Sequence, residues 1–361
     1  MSLTRIIHDH VIAAVNQTFA FRRWPYANEF EVKHELFYQL SQLAMEGVGL
    51  ADRVPGSPTC RLHAEGKVLN GRPQKADILI CDPFELQHFN YRVAALVEIK
   101  QVLNPRTVAL EIEKFRGYGV VFEGLYLVAP VCSRELTLPK ENNGAPVFAL
   151  HPEIPSSVTE QSPAAEPAID LESAFSLVEL AIRQTLEQYG SGRTQFHGFF
   201  WCNYEHELWR GHSFPSEGDF NAQLYRRFRE RLPASVAIRS EVHPTNQPTR
   251  RVDFVVCDNA GRWAIPIEIK MNWDQFKPKF KEGKQTAAEA SVILERLRGV
   301  GSQFHHHWRA IVVVIQGEWQ LPRDIRSGAL PVLEASPYPL DLFCFDEHKD
   351  QIQHRKLGPG I

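Results

Sequence analysis

The sequence predicts an α/β protein made of two tandem copies of one domain. Two observations carry this. A strand-like run ending Val97-Glu98-Ile99-Lys100 recurs as Ile267-Glu268-Ile269-Lys270, and each has an aspartate upstream, Asp77 and Asp253. Around both runs, segments with helical apolar spacing alternate with short apolar stretches in the same order, which is the mark of a duplicated unit.

In the first copy, Leu3, Ile6, Ile7, Val11, Ile12 and Val15 fall at helical spacing over 3–18. Arg22 to Tyr26 reads as a basic-aromatic loop. A second helix is expected over 29–43, with Leu36, Leu40 and Leu43 buried and Glu35, Gln39 and Gln42 on one polar line. Gly47, Gly49, Pro55, Gly56 and Pro58 end the pattern. Strands are expected at 60–69, 76–82 and 92–100. Asn104-Pro105 has the form of a cap and first helical residue, opening a helix over 106–117. A last strand, 124–129, is almost wholly apolar, as a strand covered on both faces should be.

Prolines 152, 155, 163 and 167 and the loss of apolar periodicity mark 151–170 as a linker between domains at 1–150 and 171–361. The order of elements then returns. Helices are expected at 171–189 and 220–232, strands at 236–243, 251–258 and 262–270, a helix at 284–298 and a strand at 310–315. The tail beyond 318 is rich in Pro and Gly and adds a strand at 342–345.

Set in register, His63-Ala64-Glu65 lies over Arg239-Ser240-Glu241. The run Ala76-Asp77-Ile78-Leu79-Ile80-Cys81-Asp82 lies over Val252-Asp253-Phe254-Val255-Val256-Cys257-Asp258 without a gap. Farther on, Ile112-Glu113-Lys114-Phe115-Arg116-Gly117 lies over Leu294-Glu295-Arg296-Leu297-Arg298-Gly299. The hairpin between Asp and Glu is longer in the first copy, and its extra residues fall in the polar-aromatic stretch 84–91.

In an extended strand alternate side chains share a face, so Glu98 and Lys100 point together, as do Glu268 and Lys270. One Glu-x-Lys strand by itself is more simply an exposed ion pair. The doubled set, with its upstream acids in matched columns, argues for chemistry. The shared order of helix, strands, Asp, hairpin, Glu-x-Lys, helix and strand resembles the PD-(D/E)xK nuclease superfamily. The resemblance covers both copies. Neither copy has Pro before its Asp; Ala76 and Val252 stand there.

That resemblance implies two restriction-endonuclease-like domains, each a central mixed β-sheet flanked by helices, and hydrolysis of phosphodiester bonds with Mg²⁺ or Mn²⁺. Asp77, Glu98 and the carbonyl of Ile99 would be metal ligands, and Lys100 would position water or stabilise the phosphate. Glu35 matches a helix glutamate that many members add, and Glu65 is a further acidic neighbour. Asp253, Glu268, Ile269 and Lys270 form the second set. There Gln223 aligns with Glu35, while Glu207 in His206-Glu207-Leu208-Trp209 is a rival for the same role. The first copy is the more complete, and the second is left open.

Seven arginines between 222 and 251 face two acids in the sequence, and lysines 277, 279, 281 and 284 follow with Trp273 and Phe276 interleaved. Arg226, Arg227, Arg250, Arg251, Lys277 and Lys279 are the candidate phosphate contacts, though the arginines of 226–231 fit a solvated helix face equally well. DNA is the favoured partner, because two sites in one chain would mimic the homodimers of related restriction enzymes. RNA and single strands stay open, as do a scaffold that binds without cutting and a subunit that cuts only with protein partners of a defence or repair system.

Lys+Arg 40 against Asp+Glu 43 gives a net charge of −3, which excludes a polybasic coat protein but not a local basic groove. The six cysteines are scattered without a CxxC pair and read as reduced thiols. His305-His306-His307 lacks the i, i+4 spacing of a zinc helix. No apolar run reaches membrane length and no signal-peptide core opens the chain, so a soluble cytoplasmic protein without membrane contact is expected. No Walker A loop is present.

Overall fold

A computed structural model of the chain describes residues 3–21, 28–42, 44–45, 48–49, 62–64, 76–81, 93–116, 123–133, 136–142, 144–152, 168–195, 217–244, 250–271, 284–304, 307–315, 328–346 and 351–359. It divides into two compact units, 1–160 with 191–222, and 161–190 with 223–361. Most of the segment 151–170 lies outside the described residues. Both units are α/β, with mixed sheets flanked by helices.

The first unit runs α1 (Leu3–Phe21), α2 (Glu29–Gln42), β1 (Ala44–Met45), β2 (Val48–Gly49), β3 (Leu62–Ala64), β4 (Ile78–Cys81), β5 (Val93–Ile99), β6 (Val102–Leu103), α3 (Pro105–Phe115), β7 (Gly124–Val128), β8 (Val131–Cys132), β9 (Glu141–Asn142) and β10 (Ala145–Leu150). Its main sheet has the order β3-β4-β5-β7-β10-β9. The β3, β4 and β5 strands pair antiparallel, β5, β7 and β10 pair parallel, and β9 closes antiparallel. The helix over 105–115 starts as its sequence indicates. Asn104 caps it by accepting from the backbone N–H groups of Arg106 and Thr107, and Pro105 fills the first turn, where a missing N–H costs nothing.

Alternation along β5 sets the layers. Ala95, Val97 and Ile99 pack with Ile7, Val11, Leu36 and Leu40 of α1 and α2. Leu96, with Leu125 and Leu127, packs with Val108, Ile112 and Phe115 of α3. Glu98 and Lys100 therefore point to the α3 face. The strand expected to be last, 124–129, is followed by β10, whose pairing to β7 was not legible because Ala145–Leu150 opens with Ala and Pro.

The second unit takes most of α4 (Leu171–Gln195) and α5 (Glu217–Arg231), whose ends 191–195 and 217–222 group with the first. It then runs β11 (Val236–Val242), β12 (Val252–Asp258), β13 (Ala264–Met271), α6 (Lys284–Gly301), β14 (Ala310–Ile315), a short helix at Leu330–Glu334, β15 (Leu340–Asp346) and β16 (Gln351–Leu357). The sheet order is β11-β12-β13-β14-β15-β16, with the same succession of antiparallel and parallel pairs as in the first unit. The two sheets differ at the far edge: β9 precedes its partner β10 in the chain, whereas β16 follows β15. Val312, Val314 and Cys257 pack with Ile293, Leu297 and Val300 of α6. On the opposite face Phe345 meets Tyr189 of α4, and Phe254 meets Tyr225 and Phe228 of α5.

The tail expected to hold one strand instead supplies two strands that complete this sheet. Asp341, fully buried on β15, is the anchor. Arg309 donates to it through Nε at 2.5 Å and Nη2 at 3.0 Å, and His354 Nε2 of β16 lies 2.7 Å away. The Arg309 guanidinium also lies 3.8 Å from the ring centroid of Phe175 on α4, joining helix to sheet. Among the described residues, no helix is long and apolar enough to cross a membrane.

Removing the Asp341 carboxylate would leave the half-buried Arg309 with only the exposed Glu172, 3.6 Å away, as counter-charge. Asp341→Ala is expected to lower unfolding free energy by about 3 kcal/mol, read as a reduced denaturation midpoint. A loss below about 0.5 kcal/mol would show that Arg309 re-solvates freely.

Candidate functional site

Each Glu-x-Lys strand is central in its sheet, and the register fixes what faces it. Ile78 pairs with Val97 and Phe254 with Ile267, so Asp77 comes opposite Glu98, and Asp253 opposite Glu268. The two aspartates make the same further contact. Asp77 Oδ2 accepts from the backbone N–H of Ile99 at 2.8 Å, and Asp253 Oδ2 accepts from that of Ile269 at 2.6 Å. This hydrogen bond joins the start of one strand to the end of the next, and it uses the residue between Glu and Lys in both copies.

Glu98 and Glu268 each have side chains only 1% exposed. A carboxylate that deep needs counter-charge. Lys100 Nζ lies 3.6 Å from Glu98 Oε2, and Lys114 Nζ donates to Glu98 Oε1 at 2.8 Å. In the second unit Lys270 Nζ lies 2.7 Å and Arg296 Nη1 3.1 Å from Glu268 Oε1. Glu268 Oε2 is buried without a hydrogen-bond partner. Lys114 and Arg296 come from α3 and α6, the helices on the face to which the Glu side chains point. Sequence reasoning did not nominate them, although the register that places Lys114 over Arg296 holds the signal: a basic residue in one column of both copies.

The first unit has a further acid. Glu111, one helical turn before Lys114 and on the same face, lies 3.1 Å from Lys100 Nζ through Oε1 and 3.4 Å from Lys114 Nζ through Oε2. Burial, the like charge of Asp77 and the added charge of Glu111 push the Glu98 carboxyl well above the ordinary glutamate range, against the pull of Lys114. Burial works against the Lys100 ammonium, but Asp77, Glu98 and Glu111 outweigh it and hold the amine above its ordinary value.

The other nominated residues stand as follows. Glu35 is fully buried on α2, the layer across the sheet from Glu111 and Lys114, and its Oε1 accepts from Gln39 at 2.7 Å. Glu35 is therefore not a solvated helix residue. Its aligned partner Gln223 is buried as well, at 3% exposure, and its Oε1 has no hydrogen-bond partner. Glu29 of α2 reaches the residue just beyond Lys100: its Oε1 accepts from the backbone N–H of Gln101 at 3.1 Å. Glu241 faces Asp253 across β11 and β12 with φ 53°, and its Oε2 is 3.0 Å from Arg251 Nε. Left-handed backbone at a non-glycine residue costs on the order of 1–3 kcal/mol, and the Arg251 ion pair helps to hold it.

Arg226 and Arg227 both turn onto Glu230, each at 2.8 Å, which holds that carboxyl below its ordinary range despite its burial. Arg250 lies 2.8 Å from Glu295. All four arginines nominated for phosphate contact thus have a carboxylate partner, with Arg226 and Arg227 sharing one. Lys277, Lys279, Trp273, Phe276, Glu65, Glu207, His305 and His306 lie outside the described residues.

Whether the donor set suits a metal can be judged from its chemistry. The converging atoms are carboxylate oxygens, which suit Mg²⁺ or Mn²⁺ and not a soft-ligand metal. Among the described residues, no three His, Cys, Asp or Glu side chains are grouped closely enough to cage an ion unaided. A hard cation that keeps several waters and shares a phosphate needs only one or two carboxylates, so the Asp–Glu pairs fit that group. No protein-family model, curated protein or solved structure matches this chain.

The raised Glu98 value sets a pH signature. A folded value above the unfolded one means that the folded protein holds this proton more tightly. The resulting stability is present below the ordinary glutamate value of 4.5 and is lost as pH rises through the folded value. In EDTA, Glu98→Gln is expected to flatten this decline and to raise the thermal midpoint near neutrality. A lower midpoint would mean that the lysine pairs outweigh burial and repulsion.

Proposed function

We propose that the chain is a divalent-metal-dependent nuclease of the PD-(D/E)xK type, with DNA as its favoured substrate and one Asp/Glu-x-Lys site in each unit. The observation that carries this reading is the repeated contact of an aspartate oxygen with the backbone N–H between Glu and Lys, at 2.8 Å in one unit and 2.6 Å in the other. A surface ion pair kept for solubility has no reason to recur with the same strand register, the same buried glutamate and the same helix cation.

Asp77 and Glu98, with the Ile99 carbonyl, would hold the ion in the first unit, and Asp253, Glu268 and the Ile269 carbonyl in the second. When bound, Mg²⁺ or Mn²⁺ supplies charge neutralisation at the phosphate and a more acidic water. The chain's own residues do the rest. The backbone bond to Asp77 fixes that carboxylate against the end of β5. Lys100 stays charged, so it orients the attacking water and offsets negative charge developing on the phosphate oxygens, rather than removing a proton. The water oxygen forms the new bond to phosphorus, the P–O bond to the leaving sugar oxygen breaks, the attacking water gives its proton to solvent, and the leaving oxygen takes one from solvent.

A non-catalytic binding scaffold is the second reading. It is favoured by one observation: each buried glutamate already has two cations within ion-pair distance.

Incubation of plasmid and single-stranded DNA with the protein separates the two. The nuclease reading expects cleavage in Mg²⁺ or Mn²⁺, none in EDTA, and a drop of about a hundredfold in Lys100→Ala. Lys270→Ala reports the second site in the same way. DNA binding without metal-dependent cleavage would establish the scaffold, and activity that appears only with an added protein would assign the chain to a complex.

A further inference from the structure

The register that sets Lys114 over Arg296 also sets Glu111 over Ile293. In the first unit both ammonium groups lie between two carboxylates. Lys114 Nζ is 2.8 Å from Glu98 and 3.4 Å from Glu111, and Lys100 Nζ is 3.6 Å from Glu98 and 3.1 Å from Glu111. In the second unit Lys270 and Arg296 both close on Glu268 Oε1, and the position of the extra acid is taken by Ile293, which is 1% exposed among the apolar residues of α6. Arg296 Nε is buried there without a hydrogen-bond partner.

An ion entering at Glu98 or Glu268 must displace the cations already there, and a buried cation deprived of its counter-charge is costly. We propose that Glu111 is a positioning residue that takes over Lys100 and Lys114 when Glu98 accepts a divalent cation, so that the first site binds metal in preference to the second. A short swing of each Nζ exchanges one carboxylate for the other, and no ammonium is stranded. In the second unit no acid stands at that position, and the same displacement leaves the partly exposed Arg296 with Ile293 beside it and only the long contact of its Nη1 to the Arg251 carbonyl, 3.5 Å. Lys114 is thereby an internal occupant of the site that yields to the metal. This inference rests on the reading of Glu98 and Glu268 as metal-holding groups, and its test reads metal uptake and not cleavage.

The test is calorimetric titration of the metal-free, full-length chain with Mn²⁺. Glu268→Gln leaves the first site to be read alone, and Glu98→Gln leaves the second. The first is expected to bind Mn²⁺ roughly tenfold more tightly. Within the Glu268→Gln protein, Lys114→Met is expected to tighten binding roughly fivefold by removing the occupant, and Glu111→Gln to weaken it roughly tenfold. Adding Lys114→Met to Glu111→Gln is expected to restore most of the affinity, because the displaced cation is then gone. Loss without restoration would make Glu111 a direct ligand and overturn the inference, as would equal affinities in the two single-site proteins or weaker binding in Lys114→Met. Absence of Mn²⁺ uptake in both single-site proteins would overturn the metal reading of the sites along with it, whereas uptake without preference would overturn the inference alone.

Discussion

A carboxylate buried in the middle of a sheet is the constraint around which each unit is arranged. Glu98 and Glu268 lie on strands that are otherwise almost wholly apolar and covered by helices on both faces. Neither can be left as an isolated charge. Each therefore draws a lysine from two residues along its own strand and a second cation from the helix that covers it. The aspartate opposite does not relieve this burden but adds to it, since its charge repels the glutamate. The arrangement is unfavourable as pure scaffolding. A hydrophobic residue at Glu98 or Glu268 would pack against the crossover helix as Leu96 and Val312 do, with no desolvation to offset.

Comparing the two units shows which parts of this arrangement depend on the others. The sheets share strand order and direction through five strands, and both keep the Asp-to-backbone bond, the buried Glu and the helix cation. They differ where those constraints do not reach. The far-edge strand enters from before its partner in one unit and from after it in the other. Lysine and arginine exchange at the helix position, since either reaches the glutamate. Glu111 and Ile293 exchange as well, and this is the difference with consequences, because it changes the number of negative charges among which the cations are shared. Two acids and two lysines on the α3 face give a cluster whose partners can be traded. One glutamate facing a lysine and an arginine gives a pairing that is harder to open.

Much of this was legible in the sequence. The periodicity over 3–18 and 284–298, the cap at Asn104-Pro105 and the apolar strands at 124–129 and 310–315 correspond to described elements within a few residues, because each is a local signal. The columns Asp77 over Asp253 and Glu98 over Glu268 fall at equivalent register positions for the same reason. What was missed depends on partners distant in sequence. The β16 strand, Gln351–Leu357, is polar because it is a sheet edge, and without its neighbour β15 it looks like a tail. Asp341, His354 and Arg309 are unremarkable singly and become an anchor only when β14, β15 and β16 lie side by side. For the arginines at 226–231 and 250–251, counting along the chain includes Glu230 and Glu241 but not Glu295, and it does not show which arginines these acids meet in the fold.

Glu35 is buried on α2, in the layer across the sheet from Glu111 and Lys114. Its helix occupies the expected place, and its burial fits a residue with a task. Yet α2 covers the face of Val97 and Ile99, while Glu98 and Lys100 look toward α3. The acids that act on Lys100 are Asp77, Glu98 and Glu111, and Glu29 of α2 touches the end of this strand through a backbone N–H. The chemistry of the first unit is therefore best understood as a property of the β5–α3 layer. A strand and the helix that follows it position the glutamates and both lysines, and the aspartate is tied in by one hydrogen bond across the sheet. In the second unit Gln223 takes the aligned place of Glu35, and the geometry that joins Asp253, Glu268 and Lys270 is kept.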